Sequence, residues 1–314
     1  MGAQAATLDT VKKRGKLVCG VSEGLPGFSA QDETRAWRGF DVDVCRAVSA
    51  AIFGAPDKVE YVSLTASARF DALTSGKIDL LSRNTTWTMA RDVELGLEFV
   101  GVTYYDGQGF MTRAENGLSS ALQLNSARIC ILAGTTSVAN ARAYFEGHNI
   151  KIELMEFDKR EDALKAYEKR DCDALSADRS ALASQRSSLK DAEDHVLLPE
   201  VISKEPLGPA VRQDDPAWAE LVRWVVFLLI NAEETGWSST DVARTPDASP
   251  IAIPDAVNAK LGLDKNWPRA VIGSVGNYAE IFQNNVGDDS PLRIRRGINA
   301  LWNQGGILYA PPMR

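Results

Sequence analysis

Histidine and cysteine are scarce in this sequence: His148, His195 and four cysteines are all that occur among 314 residues. There is no C-x-x-C pair, and neither histidine lies near a matching pair of cysteines, so the spacing fits no common zinc site. The P-loop, G-x-G-x-x-G, H-E-x-x-H and EF-hand motifs are also absent. We therefore expect no metal and no cofactor, and the usual enzyme signatures are missing.

Long apolar runs and an excess of positive charge are absent as well. The longest apolar run, Leu221 to Ile230, contains Arg223 and has about half the length that a bilayer-spanning helix needs. The 35 Lys and Arg residues are outnumbered by 42 Asp and Glu residues, and this net charge of −7 makes nucleic acid a poor partner. The length corresponds to about two globular domains.

The segment Gly20 to Gly24 reads G-x-S-x-G, the sequence of a hydrolase nucleophile elbow. That motif requires a helix to begin at the serine. Gly24, Pro26 and Gly27 would break such a helix at once, so we reject a serine hydrolase.

The first residues and the cysteines both bear on the cellular compartment. Ala3-Gln4-Ala5 has the small-x-small form of a signal-peptidase site, which indicates an exported protein; an ordinary alanine-rich terminus is the alternative. The cysteines divide into two local pairs, so we predict the disulfides Cys19–Cys45 and Cys130–Cys172, with buried free thiols as the alternative.

Strand and helix patterns alternate along the chain in two passes. The first pass comprises strands at 16–21, 59–64 and 78–81 and helices at 40–52, with Asp41 as the cap, and at 70–75. The second comprises strands at 128–132, 151–157 and 172–175 and helices that end at Phe145 and span 160–169. This order predicts an α/β fold.

The two passes share short sequences. Ile78–Ser82 matches Cys172–Ser176, and Cys19 in the first opening strand matches Cys130 in the second. A duplicated α/β unit explains the matches, although short helix-strand similarity also arises by chance. We interpret the two passes as two lobes.

Extended segments at 102–112 and 207–211 are predicted to cross between the lobes, and two crossovers form a hinge. Asp215 and Pro216 are expected to cap a long apolar helix, and 290–301 to form one short helix of a proline-rich tail. The predicted boundaries are 8–113 and 209–245 for the first lobe, 114–208 for the second, and 246–314 for a helical extension packed on the first lobe.

Polar residues suited to a small zwitterion follow several strands. Gly134 to Ser137 stands where a strand turns into a helix, so its N–H groups could bind an anion or its hydroxyls could be ordinary caps. Arg91, near the hydroxyls of Thr86 and Thr88, could grip a carboxylate or be a solvated surface residue. Asp178, at the end of a strand, could receive an ammonium group.

Several motifs resemble one family, the periplasmic amino-acid-binding proteins of ABC importers, in its branch of general L-amino-acid receptors. The helix entry Gly39-Phe40-Asp41-Val42-Asp43-Val44 resembles the family's glycine-aromatic-acidic pattern. Further matches lie at 134–136, 174–179, 203–209 and 300–306, so the resemblance covers nearly the whole chain. It implies the type II periplasmic-binding-protein fold: two lobes, each a mixed sheet flanked by helices, joined by a two-strand hinge.

The resemblance also implies roles for single residues. It assigns the ligand α-carboxylate to Arg91, Thr86 and the backbone of Thr135 and Thr136. The ammonium group is assigned to Asp178, assisted by Asn84, and an aromatic wall to Phe70. In the first loop, where many relatives carry an acidic residue and an aromatic residue, this chain has Ser22 and Leu25. Glu23 and Arg83 could bind a polar side chain of the ligand or be solvated.

The implied function is that of a monomeric periplasmic receptor. It would bind free L-amino acids with broad specificity and deliver them to the permease subunits of an ABC importer. The alternative is an enzyme of the same fold, a dehydratase acting on aromatic amino-acid precursors, with Glu23 as its general acid. A sensory module is disfavoured because no membrane segment or helix-turn-helix accompanies the lobes.

Overall fold

The computed structural model describes residues 6–245 and 249–314. The Ala3-Gln4-Ala5 motif and the predicted boundary at residue 246 lie outside the described residues. Within the described ranges, no helix combines the length and the apolar character that crossing a membrane requires.

Strands and helices alternate through most of the chain, as the sequence pattern predicts. The strands are β1 (Leu17–Ser22), β2 (Ala30–Gln31), β3 (Trp37–Arg38), β4 (Val59–Leu64), β5 (Leu80–Leu81), β6 (Leu97–Phe99), β7 (Tyr104–Asp106), β8 (Gln108–Arg113), β9 (Ala127–Leu132), β10 (Ile152–Phe157), β11 (Ala174–Asp178), β12 (His195–Leu197), β13 (Glu205–Leu207) and β14 (Ala210–Arg212). The α-helices are α1 (Thr7–Arg14), α2 (Phe40–Phe53), α3 (Arg69–Thr74), α4 (Met89–Leu95), α5 (Thr136–Gly147), α6 (Arg160–Glu168), α7 (Arg179–Ser187), α8 (Pro216–Glu234), α9 (Ser239–Arg244), α10 (Asp255–Leu261), α11 (Trp267–Val275) and α12 (Tyr278–Asn285).

Two five-stranded mixed sheets form two lobes, which confirms the predicted fold class. The first sheet has the order β4-β1-β5-β14-β6 and the second the order β10-β9-β11-β8-β12. In each sheet the first three strands are parallel, and the fourth is antiparallel to both its neighbours. The carboxyl ends of the parallel strands therefore meet at one edge of each sheet, where ligands bind in α/β folds.

The hinge consists of β7 and β13, which pair antiparallel between the two sheets. The chain enters the second sheet directly afterwards, because β8 (Gln108–Arg113) pairs with β11 and β12. The second sheet thus begins before the predicted boundary at residue 114. The cause is that only Gly107 separates β7 from β8, so the extended pattern continues across the change of sheet.

The duplication is visible in the side chains that tie the strands together. Asp79, just before β5, accepts a hydrogen bond from the backbone N–H of Val18 in β1 at 2.8 Å. Asp173, just before β11, accepts the equivalent bond from Arg128 in β9, also at 2.8 Å. An aspartate at the equivalent position thus links the equivalent pair of strands in each lobe.

The proposed match of Cys19 with Cys130 is wrong by one position. Cys19 pairs with Leu80 in its sheet, whereas Ile129 pairs with Ala174 at the equivalent place in the other. A shift of one residue turns a strand side chain to the opposite face. The two cysteines therefore point to different faces of their sheets and find partners in different elements.

Both predicted disulfides are present: Cys19 in β1 bonds to Cys45 on α2, and Cys130 in β9 bonds to Cys172 before β11. All four cysteines are fully buried. The described residues contain no free cysteine.

The largest core lies beneath the first sheet and includes residues of the C-terminal helices. Trp267 of α11 and Phe282 of α12 pack in one cluster with Val48 of α2 and Trp218 of α8. Asp215 caps α8 as predicted, accepting the Trp218 N–H at 3.0 Å.

Two local predictions in this lobe are wrong. Gly39, not Asp41, is the N-cap of α2; its φ is 128°, and a Cβ there would lie 2.2 Å from the Phe28 carbonyl oxygen, so only glycine fits. In the segment 290–301 only Gly297–Asn299 is helical, as a 3₁₀ turn. Pro291 and the positive φ of Gly297 explain why no longer helix forms there.

Candidate functional site

A cleft between the lobes collects polar residues from the carboxyl ends of strands in both sheets. Its lining includes six of the nine predicted site residues: Asn84, Thr86, Arg91, Thr135, Thr136 and Asp178. The first three follow β5 in the first lobe. In the second lobe, Thr135 and Thr136 follow β9, and Asp178 is the last residue of β11. Arg91 and Asp178, from different lobes, therefore share one cleft.

The Arg91 guanidinium is held in a fixed position. Arg91 lies in the first turn of α4, which is capped by the Thr88 hydroxyl. Its Nη1 donates to the Thr86 carbonyl oxygen at 2.7 Å, and its Cζ lies 5.1 Å from the centre of the Phe70 ring. Only 8% of the residue is exposed. This rigid, largely buried donor is suited to gripping a carboxylate.

The N-terminus of α5 offers further donors. The N-cap residue Thr135 does not cap the helix with its side chain; its hydroxyl donates to the Leu132 carbonyl oxygen at 2.7 Å. The N–H groups of the first helical turn are consequently left for another acceptor. Together with the positive end of the helix dipole, these N–H groups are suited to an anion in the cleft.

Asp178 supplies negative charge on the second lobe. It is the last residue of β11 and stands at the N-cap of α7, but its side chain does not cap that helix. Burial raises the pKa of Asp178 well above its ordinary value, and the nearby carboxylates of Asp106 and Glu205 raise it further, while Arg160 and Arg69 oppose them. A cationic group beside this carboxylate would relieve the cost of its ionisation.

Glu205 was missed by sequence reasoning, yet its carboxylate joins the two lobes from hinge strand β13. Its Oε2 accepts from the Thr86 hydroxyl at 2.5 Å and from the Thr136 hydroxyl at 2.9 Å. Its Oε1 accepts from Asn140 Nδ2 at 2.8 Å and from the Ser203 hydroxyl at 2.6 Å. The residue is only 1% exposed.

This network changes the expected role of Thr86. The Thr86 hydroxyl proton is donated to Glu205, so its oxygen can only accept a further hydrogen bond. A carboxylate could still be bound by the Thr86 backbone N–H. The hydroxyl oxygen itself is suited to an ammonium group.

Asn84 also presents an acceptor to the cleft. Its backbone has a φ of 30°, and its Oδ1 is buried with no hydrogen-bond partner among the described residues. The Asn84 N–H donates to Asp41 Oδ2 at 3.0 Å, which holds the loop in this conformation. Asp41, predicted to be a helix cap, therefore supports the loop that carries the site.

The lobes contact each other around the cleft. Arg69 Nη2 donates to the Gly134 carbonyl oxygen at 3.3 Å, and the Ser184 hydroxyl donates to the Pro26 carbonyl oxygen at 2.7 Å. Gly134 has a φ of 70°, and a Cβ on it would lie 3.2 Å from the Ser67 Cα of the other lobe. The structure is thus a closed form that requires glycine at this contact.

Three predicted site residues are not part of the cleft lining. Ser22 is buried within β1, and Glu23 is exposed in the bend that follows. Phe70 is half-buried, and its ring lies 4.6 Å from the Arg69 Cζ and 5.1 Å from the Arg91 Cζ. Its ring therefore packs against the guanidinium groups that border the cleft.

Residues 17–235 match the model of one protein family, "Bacterial extracellular solute-binding proteins, family 3". The chain belongs to this family. It is 50% identical to "Putative amino-acid ABC transporter-binding protein YhdW" of Escherichia coli (strain K12). The alignment spans 316 residues and covers 98% of this chain and 93% of the relative.

Two further proteins match this chain along nearly their whole length. "General L-amino acid-binding periplasmic protein AapJ" of Rhizobium johnstonii is 48% identical over 320 residues, covering 99% of this chain and 94% of the relative. The solved "ABC transporter / periplasmic binding protein from Brucella ovis with glutathione bound" has a TM-score of 0.96 and 48% identity, covering 99% of this chain and 100% of the other.

The residues that sequence reasoning missed in this family 3 protein carried only weak signals. Glu205 lies in a segment that matches the family, but a Glu-Pro pair in an extended crossover indicates no ligand chemistry. Arg69 and Arg160 each begin a helix, where a solvated arginine is the common case. Only the packing of the two lobes brings Arg69 and Arg160 to one cleft.

The buried Asp41 carboxyl in the first lobe makes the stability of the protein depend on pH. Burial raises the pKa of Asp41 to about 7, against the opposing effects of the Asn84 N–H and Arg83. The folded state therefore favours the protonated form, and this contribution to stability is complete below the unfolded pKa of 3.8 and lost as the pH rises through about 7.

We expect Asp41→Asn to gain stability relative to wild type by at least about 1 kcal/mol as the pH rises from about 4 to about 7. Asparagine keeps an oxygen for the Asn84 N–H and does not titrate. Urea unfolding at several pH values measures the difference. Parallel pH profiles for the two proteins would contradict the assignment, and the exposed Asp171→Asn is the matched control.

Proposed function

We propose that this chain is a periplasmic receptor that binds free L-amino acids or similar small zwitterions by closing its two lobes around them. The observation that carries the proposal is the placement of Arg91 and Asp178 from opposite lobes in one cleft. A guanidinium and a carboxylate facing one cleft are complementary to the carboxylate and the ammonium group of an α-amino acid.

The α-carboxylate would lie between Arg91 and the N-terminus of α5. The ammonium group would lie against Asp178, where the Asn84 Oδ1 and the Thr86 hydroxyl oxygen supply further acceptors. Each ligand charge is then bound mainly by one lobe. Neither lobe alone satisfies the ligand, so binding stabilises the closed form over the open one.

The relatives support transport as the purpose of binding. The name of the Rhizobium johnstonii relative describes binding of L-amino acids, and the name of the Escherichia coli relative describes a "Putative amino-acid ABC transporter-binding protein". We propose that this chain, as a monomer, delivers its ligand unchanged to the permease subunits of an ABC importer. Two disulfides fit the oxidising periplasm.

The structure does not favour the dehydratase alternative. That hypothesis needs a general acid in the cleft, and its candidate was Glu23. Glu23 is exposed in the bend after β1 and is not among the residues that line the cleft, although its charge acts on Arg83 and Arg160. Release of an unaltered ligand is therefore the function we propose.

Titration calorimetry with the protein-forming L-amino acids and with small γ-linked peptides tests the proposal. We expect saturable binding of at least one L-amino acid and much weaker binding of its D-enantiomer. Mass spectrometry of the released ligand should find it unchanged. Absence of binding to every compound would overturn the receptor function, and conversion of prephenate or arogenate would favour the dehydratase.

A further inference from the structure

The C-terminal extension, residues 249–314, lies beyond the family 3 match, which ends at residue 235. None of its residues lines the zwitterion cleft. It packs on the first lobe, where Leu301 and Leu308 join the same core cluster as α2 and α8. Two of its buried polar side chains, Tyr278 and Asn299, nevertheless contact the chain at the hinge.

Asn299 pairs with the backbone of hinge strand β7. Its Oδ1 accepts the Tyr105 N–H at 2.7 Å, and its Nδ2 donates to the Tyr105 carbonyl oxygen at 2.9 Å. Within the described part of the chain, β13 is the only strand that pairs with β7, so one edge of β7 has no neighbouring strand. A side-chain amide offers one acceptor and two donors, and here it takes the place of that strand at Tyr105.

Asn299 is itself fixed to the first lobe, and only 4% of it is exposed. Arg296 donates to the Asn299 carbonyl oxygen from Nε at 3.0 Å and from Nη2 at 2.9 Å. The same Nη2 donates to both carboxylate oxygens of Glu233 on α8, at 2.9 and 3.0 Å. Because α8 belongs to the core of the first lobe, the position of Asn299 follows that lobe.

Tyr278 holds the chain just before β7. Its hydroxyl donates to the Thr103 carbonyl oxygen at 2.8 Å. The Tyr104 ring, between the two anchored backbone positions, stacks on the Phe282 ring with a centroid distance of 6.0 Å and an interplanar angle of 4°. The C-terminal extension therefore contacts three successive residues, 103–105, and attaches them to the first lobe.

Beyond Tyr105 the contacts of the strand change to the second lobe. The Asp106 Oδ2 accepts the Ser180 N–H at 3.2 Å, and the Gly107 carbonyl oxygen accepts the Arg179 N–H at 2.9 Å. Ser180 and Arg179 both belong to α7. The strand thus passes from one lobe to the other within two residues.

The returning strand β13 shows a similar change. Ser203, just before it, accepts the Gln108 N–H of the second lobe with its hydroxyl oxygen at 3.2 Å. The Pro206 carbonyl oxygen accepts the Trp87 N–H of the first lobe at 2.8 Å. Residues 204–205 lie between these two contacts.

We propose that Asn299 is a positioning residue of the hinge, which makes β7 part of the first lobe as far as Tyr105. The lobes then open by rotation about residues 106–107 and 204–205. A pivot of two residues in each strand restricts the open conformations, so less conformational freedom is lost on closure. This inference rests on the proposed closing of the lobes and adds the residue that directs the motion.

Amide exchange of the Tyr105 N–H, measured by NMR on the ligand-free wild-type protein, tests whether the contact persists. The Asn299–Tyr105 contact lies on the first-lobe side of the pivot, so opening should leave it intact. We expect exchange at least about a hundredfold slower than in an unstructured peptide. Exchange at the unstructured rate would overturn the proposal, because the contact would then be lost in the ligand-free protein.

Pulsed electron paramagnetic resonance measures the effect of Asn299→Ala on the relative position of the lobes. Spin labels are attached at Asp71→Cys on α3 and Asp162→Cys on α6, two exposed positions on opposite lobes. The native cysteines of the described chain are in disulfides and take no label. In the ligand-free variant we expect a wider distribution of distances than in wild type, with added population at longer distances.

Asn258→Ala is the matched control. Asn258 lies in α10 of the same extension, is 3% exposed, and accepts the Trp267 Nε1–H at 2.9 Å, but it makes no contact with the hinge strands. Its loss should lower thermal stability and leave the distance distribution as in wild type. Equal widening in both variants would overturn a specific role of Asn299.

A folded Asn299→Ala protein with the wild-type distribution would also overturn the proposal. If this variant does not fold, the exchange of the Tyr105 N–H in wild type decides. Failure of the proposed function looks different, because then no L-amino acid binds to wild type in the calorimetric screen. Both hinge measurements use the ligand-free protein and do not depend on that screen.

Discussion

Replacing Asp178 with asparagine is expected to weaken amino-acid binding by about 2 to 5 kcal/mol, a rise of roughly 30-fold or more in the dissociation constant. The substitution keeps the size of the side chain and removes its charge. In wild type, the ligand ammonium compensates a carboxylate whose pKa is raised by burial and by Asp106 and Glu205. In the variant the ammonium group would be desolvated without a counter-charge.

Ligand analogues separate this role from a general loss of structure. An N-acetylated amino acid lacks the ammonium charge, so the difference between wild type and Asp178→Asn should largely vanish for it. Asp171→Asn, an exposed aspartate of the same lobe, is the control and should bind as wild type does. Unaltered calorimetric affinity in Asp178→Asn would remove the residue from the site.

The pH dependence of binding gives an independent readout. The ligand ammonium group binds the ionised form of Asp178. Because the pKa of Asp178 is raised, this carboxyl takes up a proton as the pH falls, and the ligand must then displace that proton to bind. Affinity should therefore decrease in wild type as the pH is lowered and Asp178 becomes protonated. The groups that set this behaviour are Asp106 and Glu205, which raise the pKa, and Arg160 and Arg69, which lower it. Asp178→Asn should show a flatter profile.

Removing the Cys130–Cys172 disulfide is expected to lower the free energy of unfolding by about 4 kcal/mol. The disulfide closes a loop with a sequence separation of 42 residues, and this length sets the entropy that the bond removes from the unfolded chain. For Cys19–Cys45, with a separation of 26 residues, the same relation gives about 3.5 kcal/mol. Paired Cys→Ala variants measured by urea unfolding check both values.

Alanine is the appropriate replacement because all four cysteines are fully buried, and serine would add a buried hydroxyl. Wild type treated with a reductant is the matched comparison, and its stability should approach that of the variant in which all four cysteines are replaced by alanine. If the Cys130→Ala, Cys172→Ala protein unfolds at the wild-type urea concentration, the bond contributes nothing to stability.

The sequence by itself was sufficient for the alternation of strands and helices, for the two disulfides, and for naming six residues that line one cleft in the structure. These features depend on local patterns: apolar spacing, polar residues at the carboxyl ends of strands, and a threonine pair at a helix start. Arg91, Asp178 and Thr135 stand at such places, and the structure brings them to one cleft. Their roles toward a ligand remain predictions.

Tertiary structure alone decided how distant residues combine. Thr86 and Glu205 are 119 positions apart, and they meet because the hinge strand passes between the lobes. Asp41 and Asn84 are 43 positions apart, so no local pattern could show that one supports the other. Arg69 and Arg160 likewise come from opposite lobes and reach one cleft through the packing of the lobes. Parallel strand pairing and lobe closure, both non-local, placed these side chains together.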